Sequence, residues 1–284
     1  MIGFTVRNLK VYFKDKASVF FSLLAVFIII ALYALFLGDV WVNDLEDIPN
    51  ARYLMDSWII AGLLAVTSVT TTMGAFGNMV DDKRRKIIKD FVASPISSSS
   101  ITAGYIVSSI IIGVIMSIIT LILGEVYILI GGGELLSFDA IIKTLLLIVL
   151  TTVSNSTIIL FMVSLFDSPH AFATASTIIG TIIGFLTGIY LPIGSLPNAV
   201  QWIIKCFPPS HAAMLFRQVM MEGAIGEAFA GAPAEYVNAF SETLGIQFKY
   251  GDAYISAFGS ILVLIGAAVI FFFLSTLLMS RKKR

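Results

Sequence analysis

Six stretches of 20 or more residues run with almost no charge, at about 19–38, 57–80, 101–130, 140–166, 171–191 and 256–279. At 1.5 Å per residue, about 20 apolar residues cross the roughly 30 Å hydrocarbon core of a bilayer as a helix. The pattern predicts an all-α integral membrane fold with six transmembrane helices. The third and fourth stretches exceed the length a bilayer needs, which implies tilt or extension past the lipid. Composition agrees: the chain is 58% hydrophobic and 13% charged, against about 45–50% and 25% in soluble domains. Basic residues precede the first run, Val19–Leu37, but that run is too long for a signal-peptide core and no small-residue cleavage site follows it. It reads as a retained span. A single cysteine, Cys206, leaves no disulfide framework or cysteine zinc site, and His170 and His211 are the only histidines. No metal site is expected.

Orientation follows from the Lys and Arg distribution. With the N-terminus cytoplasmic, the inside segments hold Arg7, Lys10, Lys14 and Lys16, then Lys83, Arg84, Arg85, Lys86 and Lys89, then Arg281, Lys282, Lys283 and Arg284. These are thirteen of the eighteen basic residues. The first outside loop holds Asp39, Asp44, Glu46, Asp47 and Asp56, and the last holds Glu222, Glu227, Glu235, Glu242 and Asp252. Both termini are expected inside.

The whole chain, 1–284, reads as one membrane domain with three non-spanning parts. In 1–18, Ile2, Val6, Leu9 and Phe13 recur at helical spacing beside Arg7, Lys10 and Lys14. This is the pattern of an amphipathic helix on the membrane surface with its cations toward lipid headgroups, or of a simple topology anchor. In 81–100, Ile87, Ile88 and Phe91 form an apolar strip amid charge, Pro95 ends the segment, and Ser97–Ser100 offer helix caps. Such a helix suits docking of a soluble partner; a charged topological loop is the other reading. In 192–255, the short apolar runs Ala199–Phe207 and Ala212–Met221, broken by Pro208 and Pro209, are too short to span. They read as re-entrant or interfacial helices, followed by a small external cap over Gly223–Asp252. Pro192 and Pro197 end the fifth span and prevent its resumption.

Within the spans, Ser176, Gly180, Gly184 and Gly188 recur every four residues, with Ala173, Thr177 and Thr181 alongside. That small-residue face lets a second backbone approach closely, inside one subunit or between two. Thr67, Thr70 and Thr71 share a face of the second span, and Ser154, Asn155 and Ser156 lie midway along the fourth. The hydroxyls can bond their own helix, whereas Asn155 should face protein or water. Glu125 reads as the only acid well inside a span, snorkelling toward the outer headgroups.

The series Gly188, Pro192, Leu196-Pro197, Pro208-Pro209, His211 and Arg217 resembles the end of the fifth span in the membrane subunits of type-2 ABC exporters, the ABC-2 permeases. The charged segment Asp82–Lys86 with Ser94-Pro95 resembles the loop after their second span, although Lys86 stands where a Gly often sits and a basic run replaces alternating charge. The resemblance covers essentially the whole chain. It implies a half-transporter that pairs with a second permease, identical or related, and recruits two ABC ATPase subunits, with Lys83, Arg84, Arg85, Ile87, Ile88, Phe91 and Pro95 meeting the ATPase. It also implies that Thr67, Thr70, Thr71, Asn155, Thr177, Gly180, Thr181, Gly184 and Gly188 pack the helices or line the pathway, and that Pro192, Leu196, Pro197, Pro208 and Pro209 shape the re-entrant turn. The chain has no G-x-x-x-x-G-K-[ST] phosphate loop; Gly131–Gly133 is followed by Glu134 and Leu135. No cofactor is expected on this chain, and ATP and Mg²⁺ belong to the partner ATPase. The expected setting is a bacterial plasma membrane with lipids as further partners and no nucleic acid. The few charges and many Ile, Leu, Phe and Thr residues of the spans favour an amphipathic or hydrophobic cargo, and a drug, an antibiotic or a lipid-like molecule is expected. A secondary transporter needs intramembrane charges or inverted repeats, and the three-span halves show no obvious match. That class and a non-transporting membrane partner remain as alternatives.

Overall fold

The structure is a computed structural model that describes residues 1–43, 45, 48–93, 96–166 and 168–281. Helix α1 (Ile2–Lys14) leads into α2 (Lys16–Leu32), which widens through a π-helical turn (Tyr33–Leu37) into α3 (Gly38–Asn43). Then come α4 (Ala51–Arg84), the short α5 (Ile87–Ala93), α6 (Ser98–Ile130), α7 (Phe138–Leu165) and α8 (Pro169–Leu186). A 3₁₀ turn (Ile193–Ser195), α9 (Asn198–Cys206), α10 (Pro208–Met220), α11 (Glu222–Ala228) and α12 (Ala234–Thr243) follow. A two-stranded hairpin, β1 (Lys249–Tyr250) and β2 (Ala253–Tyr254), precedes α13 (Ala257–Arg281).

Six helices are long and apolar enough to cross a membrane: Lys16–Phe36, Ala51–Arg84, Ser99–Ile130, Phe138–Leu165, Pro169–Leu186 and Ala257–Met279. Local chemistry sets their starts. Asp15 accepts from Ser18 N at 3.0 Å, Ser97 from Ser100 N at 3.3 Å and Ser137 from Ala140 N at 3.2 Å, each satisfying an otherwise orphan amide. Ser168 caps α8, with Pro169 in its first turn.

Helix α4 is the axis of the bundle. Of its apolar window 89% is buried, against 22% for the first span, 17% for α8 and 17% for α13. Around α4 pack α6, α7 and α10, while α13 lies along α7. The three sparsely covered spans leave broad apolar faces open on the isolated chain, with Phe185, Val269 and Phe273 exposed.

Several boundaries differ from the sequence reading, each for a physical reason. The second span begins at Ala51, so Asp56 is not a loop acid: it is 1% exposed inside α4, paired with Arg52 at 3.1 Å across one helical turn. The fifth span ends at Leu186 rather than near 191. There Gly188 adopts φ +69°, and Ile189 N bonds Gly184 O at 2.9 Å, a left-handed C-cap that stops the helix. Glu125 reaches toward the connection that follows α6 and finds a backbone partner there. Its Oε2 accepts from Leu136 N at 3.0 Å and ties the α6–α7 connection to the end of α6.

The segment after α8 folds as two short helices, α9 and α10, followed by α11, α12 and the hairpin. Helix α10 is a core element, with its buried side wedged against α4, α7 and α13. Helix α9, in contrast, leaves Val200, Trp202 and Ile203 exposed. Pro208 and Pro209 occupy the first turn of α10, where a missing N–H costs nothing.

Candidate functional site

The six spans alternate in direction, so both ends of the described chain lie at one end of the bundle. There, α5 continues from α4 after a sharp reversal at Lys86, whose φ of +61° is left-handed. A residue with a side chain is strained in that conformation and glycine is not, which accounts for the glycine in the pattern this loop resembles. Arg84 closes α4 and bonds Asp81 at 3.0 Å. Lys83, Arg84, Arg85, Lys86 and Lys89 all face outward.

The other side of α5 is anchored. The Phe91 ring meets Phe4 edge-on, with centroids 4.9 Å apart, and Phe4 meets Tyr105 of α6 in the same way at 5.0 Å. Arg7 lies over the Phe91 ring at 5.3 Å. Its Nη2 donates to Asp82 Oδ1 at 2.8 Å, its Nη1 donates to Oδ2, and Tyr105 OH donates to Oδ2 at 2.6 Å. The Asp82 hydrogen bonds hold the Arg7 pKa above its usual range. Asn8 adds a 3.4 Å bond to Ser108. One cluster therefore joins α1, the end of α4, α5 and the start of α6.

This arrangement corrects the reading of α1. Ile2, Val6 and Phe13 are exposed at the expected stripe, but Arg7 turns inward to Asp82 instead of joining Lys10 and Lys14. The face that packs on the bundle is Phe4, Thr5, Asn8 and Tyr12. Of the residues expected to meet an ATPase, Ile87, Ile88 and Phe91 are half-buried, and Pro95 lies outside the described residues.

Beside this cluster a polar cleft of about 520 Å³ opens between α1, α4 and the start of α8, lined by Arg7, Asp15, Asn78, Asp81, Arg85 and Phe172 among others. Between α7 and α8, with Val69 of α4 and Pro209 of α10 at its edges, lies an apolar cleft of about 240 Å³ bounded also by Ile158, Ile179, Ile183 and Leu186. Asn155 reaches its wall and donates to Ser68 at 2.7 Å. Thr67 and Thr71 are buried with hydroxyls bonded back to Leu63 O and Thr67 O, and half-buried Thr70 does the same to Val66 O. Thr177, Gly180 and Thr181 are not enclosed: no atom lies within 4 Å of a Cβ added at Gly180, and both threonines bond their own helix. The small-residue stripe divides at its far end. Gly184 is roofed by the Tyr190 ring and Gly188 serves the C-cap, so neither offers a helix-packing face.

At the opposite end of the bundle, three side chains converge on backbone carbonyls. Tyr33, at the π turn of the first span, donates to Ile189 O at 3.0 Å. Trp58 Nε1 of α4 donates to Leu244 O at 2.8 Å. Arg217 of α10 donates Nη2 to Gly188 O at 3.0 Å and stacks on the Trp58 ring at 4.9 Å. His211 bridges Ser260 at 3.0 Å and Lys205 O at 2.9 Å, joining α10 to α13 and α9. Pro192 precedes the 3₁₀ turn, Leu196 ends it, and Pro197 opens α9. Neither Tyr33 nor Trp58 was singled out in the sequence. Arg217 carried a signal, being the only cation in the apolar run Ala212–Met221.

Among the described residues no group of three or more His, Cys, Asp or Glu side chains is placed to hold a metal ion. A family model described as ABC-2 type transporter matches residues 3–221. No curated protein matches the chain.

Proposed function

The chain belongs to the ABC-2 type transporter family, and from that membership we propose that it is the membrane-spanning half of an ATP-driven exporter in a bacterial plasma membrane. It is a multi-pass integral membrane protein of a family whose membrane components partner an ABC ATPase subunit. In this reading the end that carries both termini faces the cytoplasm, in line with the concentration of Lys and Arg there. ATP and Mg²⁺ belong to the partner chain, because this sequence holds no phosphate-binding loop.

The anchoring of α5 supports the reading most directly. Lys89 on its outer side and Lys83, Arg84, Arg85 and Lys86 just before it present cations to a soluble partner, and its inner side is fixed through Phe91, Phe4, Arg7, Asp82 and Tyr105 to three other helices. A push on α5 therefore moves α1 and the ends of α4 and α6 as one body. Two ATPase subunits and two permease chains, identical or related, make the working assembly. The sparsely covered faces of α2, α8 and α13 leave room for the second permease and for lipid. Thr177, Gly180 and Thr181, open on α8, lie toward that interface or the pathway.

A polar cleft at the start of α8 and an apolar cleft farther along α8, against α7, favour an amphipathic cargo with a polar head and an apolar body, such as a hydrophobic antibiotic or a lipid-like molecule. Everted vesicles holding the permease and its ATPase test this reading. ATP should drive uptake of a fluorescent amphipathic probe, with none when ATP is replaced by a non-hydrolysable analogue. Uptake that follows an imposed ion gradient and ignores ATP would establish a secondary transporter instead.

A further inference from the structure

The Arg217 side chain is fully buried, and among the described residues no carboxylate pairs with it. Its Nη2 has one carbonyl partner and its flat face lies on Trp58, while Nε and Nη1 have no hydrogen-bond partner among the described residues. Three glycines make way for it. A Cβ on Gly62 would sit 3.1 Å from Nη2, and one on Gly245 would sit 3.2 Å from Nη1. Gly188 comes within 3.6 Å in the same sense, and both Gly188 and Gly245 have positive φ.

Burying a cation costs far more than one carbonyl bond and a cation–π contact return. Charges held inside membrane proteins without a counter-ion are rare and point to function. A purely structural plug at this position would be better served by Met or Leu. The cation does, however, gain hydration whenever α10 separates from α4 and from the C-cap of α8. Its burial thus opposes closure of this end of the bundle. Tyr33 and Trp58 favour closure, since each holds a carbonyl beside the guanidinium.

We propose that Arg217 is a positioning residue that keeps the far-end closure shallow, so that the gate formed by α10, the α8 C-cap and Trp58 opens during the transport cycle. This rests on the transporter reading above. Two conformations exchange readily only when their free energies are close, and a deeply stable closed state would trap the cycle. The uncompensated charge raises the closed state, and the stack on Trp58 sets how far.

The test compares Arg217→Met and Arg217→Lys with the parent, as full chains in phosphatidylethanolamine–phosphatidylglycerol nanodiscs. Hydrogen exchange over 187–193 and 243–248 reports the gate, thermal unfolding reports stability, and turnover of the associated ATPase reports the cycle. Arg217→Met should slow exchange in both segments, leave the melting temperature equal or raised by about 2–4 °C, and reduce turnover about tenfold. An ammonium is more strongly hydrated than a guanidinium and lacks its planar fork. Arg217→Lys should therefore speed exchange and lower the melting temperature, yet turn over severalfold faster than Arg217→Met. A Met variant that melts lower and exchanges faster, with Lys restoring stability and activity together, would make Arg217 a structural anchor and overturn the proposal. Exchange and melting are measured without the ATPase. If they behave as expected while the parent shows no coupled turnover, the transporter reading fails and the gate does not.

Discussion

Arg7 and Asp82, 75 positions apart, form a two-bond ion pair in which Asp82 is almost wholly buried and Arg7 remains about one-third exposed. Removing the arginine leaves a buried carboxylate held, among the described residues, by Tyr105. Arg7→Ala should cost about 1–3 kcal/mol, the range for hydrogen bonds to charged groups, reduced by the partial exposure of Arg7. Asp82→Asn should cost less, because the amide still accepts from Tyr105. The double variant should lose clearly less than the sum in a thermal-melting cycle; simple additivity would show that the pair does not couple.

The Phe4–Phe91 contact fixes α5 to α1. Edge-on ring pairs contribute about 0.5–1.5 kcal/mol beyond their buried area. Phe91→Leu should leave membrane insertion and ATPase recruitment intact while lowering ATPase turnover, because the partner still docks on a helix that transmits less. Loss of recruitment in a pull-down would show instead that Phe91 meets the partner directly.

Lys86 holds a left-handed conformation that costs a non-glycine residue about 1–2 kcal/mol. Lys86→Gly should raise the melting temperature or leave it unchanged, after the entropy of an added glycine is deducted. Lys86→Val, β-branched at positive φ, should lower it. A stabilising valine would contradict the assigned backbone.

Gly188 is required twice, by its φ of +69° and by Ile193, whose Cγ1 would lie 2.6 Å from an added Cβ. Gly188→Ala should therefore destabilise by at least about 1–2 kcal/mol. Gly180→Ala, with open space around it, should change the stability of the isolated chain by less than about 0.5 kcal/mol. If Gly180→Ala nevertheless weakens association of two permease chains, that part of α8 lies at the subunit interface.

The spans were legible because 20 apolar residues in a row have one physical meaning, and their order left little freedom. What the sequence hid lay in polar residues whose partners are remote. Asp56 read as a loop acid because its neutralising Arg52 is visible only once both are placed on one helix. Gly188 read as the end of a packing stripe, since four-residue spacing cannot distinguish a helix interior from its C-cap. The apolar stripe of α1 was plain, but the face that docks it, Phe4, Asn8 and Tyr12, is aromatic and polar. Its partners Phe91 and Ser108 lie about a hundred positions away or nearly so. The α5 strip was found in the sequence; that Phe91 turns to α1 was not.

The central claim is that this chain transmits the work of a separate ATPase through α5. ATPase turnover of the reconstituted complex, with Arg84 and Arg85 both changed to Glu, tests it most directly. Both side chains are exposed and the Arg84–Asp81 pair lies at the surface, so the variant should insert and lose less than about 1 kcal/mol of stability. The account predicts weakened recovery of the ATPase and loss of permease-dependent turnover. Full recruitment with unchanged turnover would contradict it.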